Sequence, residues 1–137
     1  MKLWIFIGLF LVSSLQVIGQ NLEVIVKNVK NEKGVLMVGL FTSQKTFTKK
    51  AWRGQKPQAI NGTVNITFND IPPGEYAISV YHDVNENGQL DFNFMGIPKE
   101  GFGFSNDVMG AFGPPTFEKA KFTYPKVQVV SVTLKYF

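Results

Sequence analysis

The sequence predicts an all-β protein, an antiparallel β-sandwich with a long irregular insertion before the last strand. Three observations support this fold class. Apolar residues recur at every second position in several short stretches, as in half-buried strands. Clusters of Gly, Pro and Asn separate these stretches. The segment from Phe92 to Pro125 is long, rich in Gly, Phe, Asn and Pro, and lacks sustained periodicity. Short strands with frequent turn signals are typical of a β-sandwich.

The first two predicted strands differ in pattern. Leu22, Val24 and Val26 alternate with polar residues, which indicates a strand with one buried face. The stretch from Val35 to Phe41 is almost continuously apolar, which favours a buried central strand. We expect residues 29–34 to join these strands as a polar hairpin.

Three later strands alternate apolar and polar residues with a period of two. Their apolar faces are Val64, Ile66 and Phe68, then Tyr76, Ile78 and Val80, and finally Val130, Val132, Leu134 and Tyr136. Val127 and Val129 have the opposite parity to the last face, so we expect a bulge near Val129.

Two other segments have weaker patterns. Residues 43–60 predict one helical turn around Lys45 to Trp52, followed by a loop that contains a proline. The stretch from Pro114 to Ala120 predicts a short helix with a proline in its first turn.

The amino terminus predicts export. Lys2 precedes an unbroken apolar run from Leu3 to Val12, and Gly19 is a small residue at a suitable cleavage position. The run is too short to span a membrane. We therefore expect residues 1–19 to be a cleaved signal peptide and residues 20–137 to be one exported domain, periplasmic or secreted, without a transmembrane anchor.

Oxygen-bearing side chains stand at alternate positions after the strand that contains Tyr76. They are Asp83, Asn85, Asn87, Gln89 and Asp91, with Gly88 at the sixth place. A calcium loop spaces its ligands in this way and needs a glycine for its sharp turn. The sequence therefore predicts calcium as a cofactor, bound by these five residues.

The calcium pattern is incomplete. The twelfth place, where a helix-loop-helix site carries a bidentate glutamate, holds Phe94. A bound cation would need a ligand from elsewhere in the chain. The alternative is a metal-free turn, because Asn, Asp and Gly are common turn residues and Asn-Gly is a strong hairpin signal.

Composition limits the chemistry of the chain. There is no cysteine and His82 is the only histidine, so a zinc site of several His or Cys ligands is excluded. The net charge of +4 is too small and scattered to predict nucleic-acid binding. No catalytic residue is assigned. An extracytoplasmic hydrolase that uses His82 and Asp83 remains the alternative function, although neighbours on a strand point to opposite faces.

Aromatic residues are concentrated in the long insertion. Flat rings can stack on sugars or bury an apolar ligand, and Phe102, Phe104 and Phe112 are the candidate ligand-binding residues. The alternative is that these rings pack the insertion onto the sandwich. Three partner classes remain open: a carbohydrate, an apolar ligand or an envelope protein.

Three motifs follow one another in the mature chain. They are Ile71-Pro-Pro-Gly-Glu-Tyr76, then Tyr81-His-Asp-Val-Asn-Glu-Asn-Gly-Gln-Leu-Asp91, and then Met95-Gly-Ile-Pro to Ser105-Asn106 with Phe112-Gly-Pro-Pro. The first resembles the strand entry of transthyretin-like modules. The later stretches, Tyr81 to Asp91, Met95 to Asn106 and Phe112 to Phe117, together resemble a bacterial family catalogued as domain of unknown function 2141. The resemblance implies an exported sandwich of the transthyretin-like or immunoglobulin-like type and implies no activity. We therefore expect a non-enzymatic module for binding or envelope structure.

Overall fold

The computed structural model describes residues 21–137, and the predicted signal peptide lies outside these residues. Within them the chain forms eight strands, one short helix (α1) and a 3-10 turn over Ser105–Asp107. The elements are β1 (Leu22–Val29), β2 (Val35–Phe41), β3 (Arg53–Gln55), β4 (Gly62–Phe68), β5 (Gly74–Asp83), β6 (Phe102–Phe104), α1 (Phe117–Ala120), β7 (Phe122–Tyr124) and β8 (Val129–Thr133).

The strands form two sheets, which confirms the all-β sandwich. One sheet has the order β4-β1-β8, and the other has the order β3-β2-β5-β6, with β7 paired to the start of β5. Every strand pair is antiparallel except β1 and β8, which run parallel from Glu23 beside Val129 to Lys27 beside Thr133. The purely antiparallel prediction is therefore wrong at this pair. A parallel pair needs a long connection, and almost the whole domain separates β1 from β8.

Two local predictions are also wrong. Residues 29–34 do not form a hairpin, because β1 and β2 lie in different sheets and the segment crosses between them. No bulge occurs near Val129, since the register of β8 on β1 is continuous from that residue onward. The register shift lies in β1 instead, between Val26 and Val29, where β1 pairs with β4.

The main core lies between the sheets. The apolar faces predicted for β1, β4, β5 and β8 point into it, and β2 adds Leu36, Val38 and Leu40. In β2 these residues are buried while Val35, Met37 and Gly39 are half-buried. The strand is central, between β3 and β5, but its outer face is only partly covered.

A second apolar cluster covers part of that outer face. It consists of Phe41, Phe47, Ala77, Phe104, Phe117 and Ala120. The Phe47 ring contacts the rings of Phe41, Phe104 and Phe117 edge to face. The insertion and the segment before β3 are therefore fixed to the sandwich by this cluster.

The two weaker helical predictions are met in part. Residues 44–49 form hydrogen-bonded turns, in which Phe47 N–H donates to the Ser43 carbonyl. Helix α1 begins after Thr116, whose hydroxyl accepts from Lys119 N–H as an N-cap. The prolines of this segment precede the cap and do not lie in the first turn. None of the helices described for residues 21–137 has the length and apolar character of a membrane span.

Candidate metal-binding loop

The polar loop follows β5 directly, and Asp83 is the last residue of that strand. Because side chains alternate along a strand, Asp83 turns to the outer side of the sheet and His82 to the core. Gly88 has φ of +76°, which a residue with a side chain rarely adopts. The sharp turn predicted at this glycine is therefore present.

Asp83 organises the first half of the loop. Its side chain is only 1% exposed. The Oδ1 atom accepts from the backbone N–H of Asn87 at 3.2 Å, and Oδ2 accepts from that of Gly88 at 2.8 Å. These bonds wrap the chain around one carboxylate.

Asp91 organises the second half. Its Oδ1 accepts from the side-chain amide of Asn87 and its Oδ2 from that of Asn85, both at 2.8 Å. The Asn87 bond, followed by the Asn85 bond, holds the pKa of the Asp91 carboxyl below its ordinary value, because both bonds favour the charged form. The carboxylate of Asp91 is therefore kept ionised by the same residues that the spacing predicted as ligands.

Glu100 is a third carboxylate of this loop, and the sequence prediction missed it. Its side chain is 6% exposed. Oε2 accepts from Val84 N–H at 2.7 Å and Oε1 from Asp91 N–H at 3.1 Å, so Glu100 joins the two ends of the loop. Glu100 is the only acidic residue between Asp91 and Asp107. This isolated acid was the one sequence feature that could have indicated a further ligand.

The structure places the five predicted ligands unequally. Asp83, Asn85, Asn87 and Asp91 share one hydrogen-bonded network. Gln89 is exposed and joins the network through its backbone N–H, which donates to Asn87 Oδ1 at 3.0 Å. Phe94, at the twelfth place, is 99% exposed in the short hairpin after Asp91. Glu100, not the residue at the twelfth place, closes the loop through its bonds from Val84 and Asp91.

Within the described part of the chain the carboxylates of the network form no ion pair, although the charge of Lys99 also lowers the pKa of Asp91 slightly. Among residues 21–137 the ion pairs join Lys121 to Glu75 and Glu118, so none involves Asp83, Asp91 or Glu100. In the same range no three His, Cys, Asp or Glu side chains form a metal-ligand group by themselves. A complete oxygen ligand set here would therefore have to include the asparagine side chains.

Tyr81 connects the loop to the outer face of the sheet. Its hydroxyl donates to the Gly88 carbonyl at 2.9 Å. Burial, and then the nearby carboxylates of Asp83 and Glu100, raise the pKa of this tyrosine above its ordinary value. The hydroxyl is thus kept protonated as a donor to the loop.

His82 is fully buried, and both ring nitrogens have partners. Nε2 lies 2.6 Å from the carbonyl oxygen of Lys33, and Nδ1 lies 3.0 Å from the hydroxyl of Tyr136. Ser105 is buried too, and its hydroxyl donates to the Ala120 carbonyl. His82 and Ser105 therefore bond within the fold, away from the surface that a substrate would contact.

The three candidate ligand-binding phenylalanines do not share one environment. Phe104 is buried in the second apolar cluster, and Phe102 is half-buried between the rings of Phe104 and Phe137. Phe112 is fully exposed. Phe94, also exposed, lies in the neighbouring hairpin. The insertion is thus part core and part apolar surface.

Comparison with protein families gives one match, and it covers residues 24–132. Comparison with curated proteins gave no match, and comparison with solved structures gave none. The transthyretin-like type of the sandwich therefore stays a prediction. The family match includes the polar loop, Glu100 and both sheets, and the chain belongs to the family described as an uncharacterized protein conserved in bacteria, DUF2141.

Proposed function

We propose that this protein is an exported, non-enzymatic β-sandwich module whose loop over residues 83–100 binds calcium, and that it acts in binding or in cell-envelope structure. One observation carries the calcium proposal. Asp83 and Glu100 are both buried beside the same loop, and no basic side chain pairs with either among residues 21–137. Each of these carboxylates accepts two backbone N–H bonds, which lower the cost of burial, and a cation would compensate the negative charge that the bonds leave.

The donor set fits a hard cation. Asp83, Asn85, Asn87, Asp91 and Glu100 offer only oxygen and amide groups, which suit calcium rather than zinc or copper. In the structure the amides of Asn85 and Asn87 donate protons to Asp91. If each side-chain amide rotates by half a turn, its oxygen takes the position that its nitrogen now holds beside Asp91. A cation bound to these oxygens would then replace the amide protons as the partner of the Asp91 carboxylate.

The role of the cation in this proposal is structural. Asp83 ends β5, and Glu100 lies just before β6, which pairs with β5. A cation between these carboxylates would fix the loop that joins the two strands. With neutral Asn ligands we expect affinity at the weak end, roughly 10⁻⁴ to 10⁻³ M, as in extracellular modules. No contact of His82 favours the hydrolase alternative.

Export is part of the proposal and rests on Lys2, the apolar run from Leu3 to Val12 and Gly19. Mass spectrometry of the protein from its host should find the amino terminus at Gln20 or Asn21. An intact Met1 on protein from the cytoplasm would overturn the export part alone. A carbohydrate, an apolar ligand and an envelope protein remain the proposed classes of partner.

Thermal unfolding in calcium and in EDTA tests the loop. Calcium should raise the Tm of the wild type, because it binds the folded loop and not the unfolded chain. Asp83→Asn and Glu100→Gln should each abolish the rise. Glu86→Gln is the matched control, since Glu86 is an exposed acid of the same loop outside the network. An equal rise in all four proteins would contradict the assignment of these ligands.

A further inference from the structure

A groove lies on the outer face of the second sheet, and its lining includes Tyr81, whose hydroxyl donates to Gly88 of the calcium loop. It has a volume of about 470 Å³ and opens between the turns at residues 44–49 and strand β3. Small-molecule sites commonly have volumes of roughly 300 to 1,000 Å³ and mostly apolar walls. Met37, Phe41 and Ala51 supply apolar wall surface here.

The floor of the groove is backbone. Gly39 of β2 pairs with Gly54 of β3 on one side and with Ser79 of β5 on the other. Three neighbouring strands thus present no side chain larger than serine in one row, and all three residues line the groove. The Phe41 ring covers Gly39, so the row leaves an open furrow at Gly54, beside that ring.

The two glycines differ in what the fold requires. A Cβ at Gly39 would lie 2.7 Å from the Phe41 ring, so packing explains that glycine. A Cβ at Gly54 would meet only the Val38 carbonyl, at 3.5 Å, which is ordinary contact. Glycine within a strand weakens it and often marks a bulge, a bend, or the close approach of a ligand or another backbone. The register of β3 on β2 is regular at Gly54, so no bulge explains it. Gly54 keeps the furrow open without serving the packing of the protein.

Two cationic groups flank this apolar space. Lys49 comes from the turns above the furrow, and Lys56 follows β3; both are exposed and both line the groove. The ion pairs among residues 21–137 involve neither of them. Apolar walls with two unpaired ammonium groups are complementary to a molecule with an apolar body and an anionic head.

We infer that this groove binds an amphipathic carboxylate. The apolar chain lies over Gly54, beside the Phe41 ring, and the carboxylate lies between Lys49 and Lys56. The site uses none of the proposed calcium ligands and its test is made in EDTA, so it can fail or succeed separately from the calcium proposal.

Decanoate, at concentrations below micelle formation and in EDTA, is the probe. Isothermal calorimetry measures its affinity, and amide chemical shifts in NMR spectra locate it. Decyltrimethylammonium, with the same chain and the opposite charge, is the control ligand. The wild type should bind decanoate at least about tenfold more tightly than the cation, with shifts centred on Gly39, Gly54 and Lys56.

Gly54→Val fills the furrow with a residue that favours strands. It should keep or raise the Tm while weakening decanoate binding about tenfold or more. The double variant Lys49→Glu with Lys56→Glu should also lose binding and remain folded. The matched control is Lys45→Glu with Lys50→Glu, which changes two lysines of the same segment outside the groove and should bind normally.

Three results would overturn the inference. They are equal binding of both probes, unchanged affinity in folded Gly54→Val, and shifts centred on Phe94 and Met95 instead of the groove. Sedimentation could also show that the wild type is a stable dimer, with Lys49 and Lys56 inaccessible and the groove buried. That result would assign the groove to a second copy of the chain and would overturn the inference as well.

Discussion

The hydroxyl oxygen of Tyr136 lies 3.0 Å from Nδ1 of His82 and ties the end of the chain to the end of β5. The direction of the bonds follows from the partners. The Lys33 carbonyl can only accept, so His82 Nε2 donates to it, and in the neutral ring Nδ1 then accepts from the Tyr136 hydroxyl. The Tyr136 oxygen in turn accepts from Lys30 N–H at 3.1 Å. Gly101 makes room for this arrangement, since a Cβ there would lie 2.4 Å from the Tyr136 ring.

Replacement of His82 by leucine should destabilise the protein by about 1 to 3 kcal/mol, because the Lys33 carbonyl and the Tyr136 hydroxyl lose their buried partner. Urea unfolding measures the loss. Nitrogen NMR of the wild type should show the proton on Nε2. A His82→Leu protein as stable as the wild type would contradict the structural role of this histidine.

The exposed and buried phenylalanines of the insertion should respond differently to truncation. Phe104→Ala should cost about 3 to 5 kcal/mol of unfolding free energy, as for a buried phenylalanine in a packed cluster. Phe112→Ala should leave stability nearly unchanged, because its side chain is fully exposed. Urea unfolding measures the free energy of unfolding of both variants. Equal losses would contradict the exposed position of Phe112.

Two buried tyrosines form a matched pair for a hydrogen-bond test. The Tyr76 hydroxyl donates to the Pro72 carbonyl at 2.6 Å, whereas the buried Tyr124 hydroxyl has no partner among the described residues. Tyr76→Phe should cost about 0.5 to 1.5 kcal/mol. Tyr124→Phe should leave stability unchanged or raise it, since it removes an unpaired polar group. A clear loss in Tyr124→Phe would reveal a partner for that hydroxyl.

The pKa of Asp91 reports on the loop in calcium-free buffer. Because its folded-state pKa is lowered, ionised Asp91 stabilises the fold above its unfolded pKa, and this contribution is lost as the pH falls through the lower folded value. Carbon NMR titration should show a rise in this pKa in Asn87→Ala and a smaller rise in Asn85→Ala. Gln89→Ala is the control, and an equal rise there would contradict the specific role of the two asparagines.

The alternation of apolar residues was sufficient to predict the long strands. It did not reveal β3, β6 and β7, because three residues give no periodicity and these strands exist by pairing with β2 and β5. Alternation is also the same for parallel and antiparallel pairs, so it could not indicate that β8 runs parallel to β1. Side-chain parity carries no information on strand direction.

The candidate site was predictable where its residues are local in sequence. Asp83, Asn85, Asn87 and Asp91 belong to one loop, so their spacing alone brought them together. Glu100 is brought back to the loop by a hairpin with a bridge between Phe92 and Pro98 and a bond from Lys99 N–H to the Asp91 carbonyl. That closure depends on backbone bonds to Asn93, which no spacing rule of a calcium loop includes.

Isothermal calorimetry of the mature protein with calcium is the most direct test of the metal-binding loop. We predict binding of one calcium ion with Kd of roughly 10⁻⁴ to 10⁻³ M, abolished in Asp83→Asn and Glu100→Gln and retained in Glu86→Gln. The absence of binding heat at millimolar calcium, together with an unchanged Tm, would contradict calcium binding by this loop. The loop would then be a metal-free turn held by the hydrogen bonds of Asp83, Asp91 and Glu100.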